Sequence, residues 1–314
     1  ICFESVGGGR RLSVCCGAAA SGMYKAAVRW YLGASTRYDA HSPHLVGFIR
    51  EVYRDDRHYH AFDLIASVRN YWRGRPGTVK LQSLGASSKT TSKNERTVKS
   101  LVATNAIDDD CGRFLFRLAL WVRAKSIIEF GTNAGISTLY LHAADTSATL
   151  HTVEGNADVA ALARETFAKG GAGPGLHPHV GLFTEWLRAH GPKPQAADPL
   201  TKRGLKRSTN QPANEPLDLF FLDGDHRYQP TLDYVKALLP SRSKNAVFVI
   251  ADIHWSEEME RAWEELKEFP EVTASIDVYH FGLLFFKEGI SGPHISLIST
   301  RFKPWRLGFF GAQG

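Results

Sequence analysis

Four carboxylates each close an apolar run in this 314-residue chain. Ile127 and Ile128 lead into Glu129, just ahead of Gly131 and Gly135. Residues 148–153 (ATLHTV) lead into Glu154-Gly155, residues 217–222 (LDLFFL) into Asp223-Gly224-Asp225-His226, and residues 246–251 (AVFVIA) into Asp252-Ile253-His254. A carboxylate at a strand end can accept hydroxyl donors or hold a hard cation. An imidazole beside it can carry a proton near neutral pH. The pattern therefore points to a site that takes a ligand with hydroxyl groups or positive charge.

The elements that must place these groups follow from periodicity. The run ending at Glu129 reads as a short buried strand. After the glycine turn, Ile136, Leu139 and Tyr140 fall at helical spacing. In a strand–turn–helix unit the ligand lies outside the carboxyl end of the strand, against the helix N-terminus. The dinucleotide pattern G-x-G-x-x-G is incomplete here, and no G-K-[ST] phosphate loop follows. Glu154, some twenty residues on, stands where a ribose-binding carboxylate belongs. That spacing serves nicotinamide and S-adenosylmethionine (SAM) sites alike.

Strand–helix alternation continues through residues 176–182, 217–222 and 246–251 and closes with a hairpin, 272–278 against 283–286. This predicts an α/β, doubly wound, Rossmann-like sheet of seven strands with a final antiparallel hairpin. A helical region precedes it, with stripes Ala26, Ala27, Trp30, Tyr31; Leu45, Phe48, Ile49, Val52; and Phe62, Ile65, Ala66, Arg69. Ser42-Pro43 and Asp108-Asp109-Asp110 read as helix starts, the latter by the helix dipole and without a metal. A further helical pattern is expected to start at Asn94-Glu95-Arg96.

The domain reading is a poorly ordered tail over 1–22 and a helical cap over 23–110 with a basic loop at 73–100. A main domain over 111–288 carries an exposed insertion at 191–216. A basic, aromatic extension over 289–314 is expected to pack on the domain or a partner chain. Charged residues make up 22% and apolar ones 43% of the chain, as in soluble globular proteins. No apolar run reaches the roughly 20 residues of a membrane span. A net charge of +6 is too small to imply nucleic-acid binding. The four cysteines form neither a C-x-x-C motif nor a disulfide framework, which fits a cytoplasmic protein.

Over residues 111–288 the chain resembles the class I SAM-dependent methyltransferases. Glu129-Phe130-Gly131-Thr132-Asn133-Ala134-Gly135 looks like their first motif and Glu154 like their second. Asp223-Gly224-Asp225-His226 with Asp252-Ile253-His254 looks like the O-methyltransferase branch that carries a D-G-x-H turn. The resemblance implies that Glu129, Gly131, Thr132, Asn133, Gly135, Ser137, Glu154, Gly155 and Asp223 bind SAM, with Glu154 on the ribose. It implies methylation of an oxygen on a small-molecule acceptor. His226 and Asp223 would be catalytic, and Mg2+ or another divalent cation would sit on Asp223, Asp252 and His254. Ile253 departs from the Asn that related metal-using enzymes carry after the last Asp. Residues after the Asp225-His226 turn or near Thr184-Glu185 would flank adenine. Trp255, Tyr228, Trp186 and Phe281 would line an acceptor pocket. A homo-oligomer is compatible with this reading.

Three other readings share some of these features. A nicotinamide-dependent oxidoreductase would use the same turn and Glu154, but the third glycine and any Tyr-x-x-x-Lys pair are missing. An RNA-modifying methyltransferase would use the basic segments, yet D-G-D-H replaces the Asn-Pro-Pro-Tyr-like turn. A domain that binds SAM without catalysis would share the whole pattern.

Overall fold

A computed structural model describes residues 2–6, 9–13, 18–81, 95–192, 216–287 and 294–303, with side chains from residue 25 onward. Strands β1 (Cys2–Val6) and β2 (Gly9–Ser13) pair antiparallel. Helix α1 (Ala18–Gly33) starts ahead of Met23, the expected domain start. Helices α2 (Pro43–Phe48), continued by a wider turn to Tyr53, and α3 (His60–Arg73) complete the first helical group. The expectations for the central part of the basic loop and for most of the insertion fall outside the described residues. So does that for residues 304–314.

Strand β3 (Thr78–Lys80) pairs antiparallel with β4 (Glu95–Thr97), and helix α4 runs Val98–Thr104. Residues 95–97 thus form a strand, not the expected helix start. The helix begins one residue later, where Thr97 accepts the Ser100 backbone N–H as its cap. Helix α5 (Asp109–Val122) is capped by Asp108, which accepts from the Cys111 N–H at 2.7 Å. Asp109 takes the buried Arg69 guanidinium at 2.9 Å. Asp108 and Asp109 are therefore taken up by capping and pairing.

From there the chain alternates: β5 (Ser126–Phe130), α6 (Ile136–Ala144), β6 (Thr149–Glu154), α7 (Ala157–Lys169), β7 (Leu176–Val180) and α8 (Phe183–His190). It continues through β8 (Leu217–Leu222), α9 (Tyr228–Leu238), β9 (Arg242–Ala251), α10 (Glu257–Lys267), β10 (Ala274–Asp277), β11 (Phe281–Phe285) and β12 (His294–Ser296). The sheet order is β12-β10-β11-β9-β8-β5-β6-β7. Strands β5 to β9 are mutually parallel, and β11 runs antiparallel between β9 and β10. The Rossmann-like α/β expectation holds, final hairpin included. An eighth strand, β12, adds parallel to β10.

Alternate residues of the central strands feed two cores. Ile127, Leu219, Phe221, Val247 and Val249 face α2 and α5, together with Leu45, Phe48, Leu115 and Leu118. Ile128, Phe130, Phe220, Leu222, Phe248 and Ile250 face α8, α9 and α10. Both faces are covered, so the strands read as unbroken apolar runs. A third cluster packs α3 and α4 on α5, α6 and α7 through Phe62, Trp72, Leu101, Phe116 and Tyr140. The Trp72 indole donates to Thr166 at 2.8 Å across this seam. Each such buried aromatic contributes about 1.5–3 kcal/mol.

Candidate functional site

Strands β5, β6, β8 and β9 all end on the same edge, because they are neighbours and parallel. Glu129, Glu154, Asp223 and Asp252 therefore converge there. The gathering is felt electrostatically: burial pushes the Asp223 carboxyl up to about 7, and Asp252, Glu129 and Glu154 reinforce the rise while His226 opposes it. Among the described residues, ion pairs to these four carboxylates come from His226 alone.

The glycine turn is shaped by close approach. Gly131 has φ +103°, and a Cβ there would stand 2.0 Å from the Asp223 carbonyl oxygen. The Asp223 N–H in turn donates to the Phe130 carbonyl at 2.8 Å. Gly135 (φ +81°) precedes α6, and a Cβ there would stand 2.6 Å from the Phe167 ring. The two glycines bring the β5 turn against the β8 turn and against α7.

Glu129, expected to bind the cofactor, is fully buried in this structure. Its oxygens accept from Ser137 at 2.6 Å, Thr138 at 2.5 Å and Thr152 at 2.6 Å. Burial pushes its carboxyl up to about 7, against the pull of these three hydroxyls. Ser137 is likewise turned inward onto Glu129, and Thr132 meets Thr152 at 2.5 Å. These residues brace the turn from below. Sequence reasoning missed Thr152; it sits directly across the β5–β6 register from Glu129, and only the register reveals it.

Glu154 stands half-buried on the rim. It accepts from the Asn133 N–H at 2.8 Å and from the Asn156 N–H at 2.9 Å. Burial raises its pKa, while the N–H groups of Asn156, Asn133 and Gly155 oppose the rise. Asn133, itself at φ 49°, is pinned by its side-chain amide to the Asn105 carbonyl at 2.8 Å. With three N–H groups on a carboxylate of about four lone-pair sites, Glu154 keeps room for a further donor.

Asp223, His226 and Asp252 form a cluster whose ligand atoms lie within 4.8 Å of one another. His226 Nε2 is 3.8 Å from an oxygen of each Asp. Asp252 and Asp225 both adopt left-handed backbone, at φ 54° and 52°. Such strain in non-glycine residues gathers where side chains must be aimed. Asp225 faces away and locks the turn: it takes the Arg227 guanidinium, at 2.5 and 2.9 Å, and the Tyr234 hydroxyl at 2.8 Å.

His254 does not join the cluster, contrary to the expected ligand set. The turn at Asp252, closed by the Trp255 N–H to the Asp252 carbonyl at 2.9 Å, sends it the other way. Its Nε2 lies 2.9 Å from Asp277 and its Nδ1 3.2 Å from Glu260. Burial lowers its pKa, but the Asp277 and Glu260 bonds outweigh this and raise it overall. Trp186 and Phe281 are core residues rather than pocket walls, at 4% exposure each. Tyr228 binds Glu265 and lies under Arg261. Phe183 borders the rim: a Cβ on Gly224 would meet its ring at 3.1 Å, and it stacks on Phe130 at 4.7 Å. Cys111 and His280 were also missed; both feel the Asp252 charge, and the His280 carbonyl accepts the Asp252 N–H at 2.9 Å. A surface cleft of about 440 Å³, lined by Lys236, Arg242 and Phe269, lies at the opposite end of β9 and takes no part in the site.

The donor set fits a hard divalent cation softened by one imidazole. The rim fits a cationic nucleoside, with accepting carboxyl groups at Glu154 and Asp223 and more acids than bases around them. Residues 128–253 match a family of methyltransferase domains. No curated protein sequence matches the chain. Among solved structures, the SAH-bound methyltransferase of Podospora anserina is 17% identical over 72% of this chain and 88% of that one, with a TM-score of 0.50. TomG of Streptomyces achromogenes, an O-methyltransferase of tomaymycin synthesis solved with SAM, is 19% identical over 74% and 91%, at 0.48. An O-methyltransferase of Bacillus cereus in complex with SAH is 15% identical over 78% and 97%, at 0.47. At these identities the likeness is one of fold.

Proposed function

We propose, from the match of residues 128–253 to a family of methyltransferase domains, that the chain moves the methyl group of SAM to a hydroxyl oxygen of a small-molecule acceptor, aided by a divalent cation. The observation that carries this reading is the Asp223–His226–Asp252 cluster beside the glycine turn. A neutral amine nucleophile needs no deprotonation at the moment of transfer, whereas a hydroxyl does. A site that gathers two carboxylates and an imidazole next to the cofactor rim suits the second task.

In this reading Glu154 accepts the ribose hydroxyls, and Asn133 holds it in place through its backbone N–H. Phe183 flanks the base from the α8 side. The carboxylate surplus favours a ligand bearing a sulfonium and an ammonium. Asp223, Asp252 and His226 are the residues that would hold the cation. When bound, the cation would lower the acceptor hydroxyl pKa and fix its orientation. Methyl transfer from sulfur is an in-line displacement, so the protein's remaining contribution is alignment and exclusion of water. His226, if not engaged by the cation, takes the hydroxyl proton. Helix α2 packs on the sheet, α3 and α4 pack on α5 to α7, and this helical group is the part of the chain that would select the acceptor.

Thermal melts test the cofactor. SAM should raise the melting temperature, and NAD should not. Glu154→Ala should abolish the SAM shift. No shift with saturating SAM would sink the proposal. Transfer of labelled methyl to a panel of phenols and alcohols, with Mg2+ or with EDTA, tests the oxygen acceptor and the cation separately.

A further inference from the structure

Each oxygen of Glu154 accepts a backbone N–H from an asparagine, Oε2 from Asn133 at 2.8 Å and Oε1 from Asn156 at 2.9 Å. Both asparagines then spend their side-chain amides on one small unit ahead of the sheet. Asn133 Nδ2 donates to the Asn105 carbonyl at 2.8 Å, and Asn156 Nδ2 to the Lys80 carbonyl at 3.0 Å. Lys80 ends β3, Asn105 caps the end of α4, and β4 leads directly into that helix. Inside the unit, Arg96 of β4 donates from its guanidinium to the Asn105 side-chain oxygen, which also takes the Thr104 hydroxyl at 2.9 Å. We propose, on the SAM reading above, that Arg96 and Asn156 are positioning residues: through the β3–β4 ribbon they aim the Glu154 carboxylate at the two hydroxyls of a ribose and so set the affinity for the nucleoside.

A glutamate side chain is flexible, and ordering it only when the ligand arrives weakens binding. Here the order is built in beforehand. Asn133 sits in left-handed backbone at φ 49°, and its side chain is fixed at both ends, because Oδ1 accepts the Ala134 N–H at 2.7 Å. Asn156 is fixed in the same way: its Oδ1 caps α7 by accepting from Asp158 and Val159 at 3.0 and 3.1 Å. Arg96 is buried, and Val79, opposite it in the ribbon register, packs with Val159 and Ala163 of α7. The ribbon is thereby seated on the helix that Asn156 starts. A displaced ribbon would move both accepting carbonyls, and with them both N–H groups on Glu154. Arg96, Asn105 and Lys80 all lie ahead of residues 128–253, so the family match says nothing of them.

The test pairs two ligands with two variants of the full chain. Isothermal titration calorimetry is run with SAH and with its 2′,3′-dideoxy analogue, which lacks the hydroxyls that Glu154 would accept. The wild-type protein should bind SAH at least about 10-fold more tightly than the analogue. Arg96→Met, which keeps the bulk without the donors, should weaken SAH about 10-fold and leave the analogue within about 2-fold. Asn156→Ser keeps a capping oxygen for α7 but loses the amide, and it should act in the same direction. Unchanged affinity for the analogue also shows that the rest of the pocket is folded, and Asn156→Ser carries the test if Arg96→Met does not fold. No SAH binding by the wild-type protein would sink the SAM reading and this inference with it. Equal weakening of both ligands, or SAH affinity untouched by either substitution, would overturn the positioning role alone and leave the SAM reading standing.

Discussion

Two histidines of similar sequence setting have opposite fates, and the difference is measurable. His226 shares its Nε2 with Asp223 and Asp252, whereas His254 spends both ring nitrogens on Asp277 and Glu260. His226→Gln should lower kcat/KM by about 10²–10⁴-fold with little change in melting temperature. His254→Gln should do the reverse, removing about 1–3 kcal/mol of stability while kcat/KM stays near the wild-type value. Steady-state assays and thermal melts of both proteins decide the assignment. Both residues were visible in the sequence, but which one joins the cluster was not. The left-handed backbone at Asp252 reverses the chain there, and no residue pattern announces that for an Asp.

Glu129 offers a test by pH. Its carboxyl titrates at about 7 in the folded protein, against 4.5 unfolded, with burial as the main cause. Between those values the folded state binds more protons than the unfolded state, so stability contributed at low pH is lost as pH rises toward 7. Glu129→Gln removes this dependence. Urea unfolding at about pH 5 and pH 8 should show the wild-type protein losing up to about 3 kcal/mol more than the variant. Equal losses would mean that the three hydroxyls hold the carboxylate charged throughout.

Among the elements, the β5 and β8 turns are mutually dependent. Gly131→Ala would push a methyl group into the Asp223 carbonyl, whose backbone cannot yield without breaking the bond from its N–H to Phe130. We expect a loss of more than 3 kcal/mol and disruption of the Asp223–Asp252 arrangement, read by unfolding midpoint and by cation affinity. Gly135→Ala meets only the Phe167 ring, which can shift, though φ remains unfavourable, so its cost should be smaller. The strand ends were legible because apolar runs stop abruptly at acids. Strands β3, β4 and β12 were not, since each has three residues and owes its existence to a distant partner. His151 and His177 are far apart in the sequence and meet only through the β6–β7 register.

For the molecule as a whole, the sequence carried the alternation of strands and helices but not the way the two ends of the described chain are joined. Ser35 bridges to Leu297, and Tyr31 donates to the Phe302 carbonyl at 2.7 Å. The buried Lys303 ammonium donates to the carbonyls of Leu32 at 3.1 Å and Ala34 at 2.6 Å, which end α1. Lys303→Met should therefore lower the melting temperature by several degrees and speed proteolysis within α1, although more than 250 residues separate the two. Protease digestion followed by mass spectrometry checks this directly.

That clasp also orders events during synthesis. Helix α1 leaves the ribosome well before Lys303 does, and its carbonyl end lacks that cation until residue 303 is free of the exit tunnel. A released chain ending near residue 290 would keep the strand-end carboxylates of β5, β6, β8 and β9 but would lack the clasp on α1.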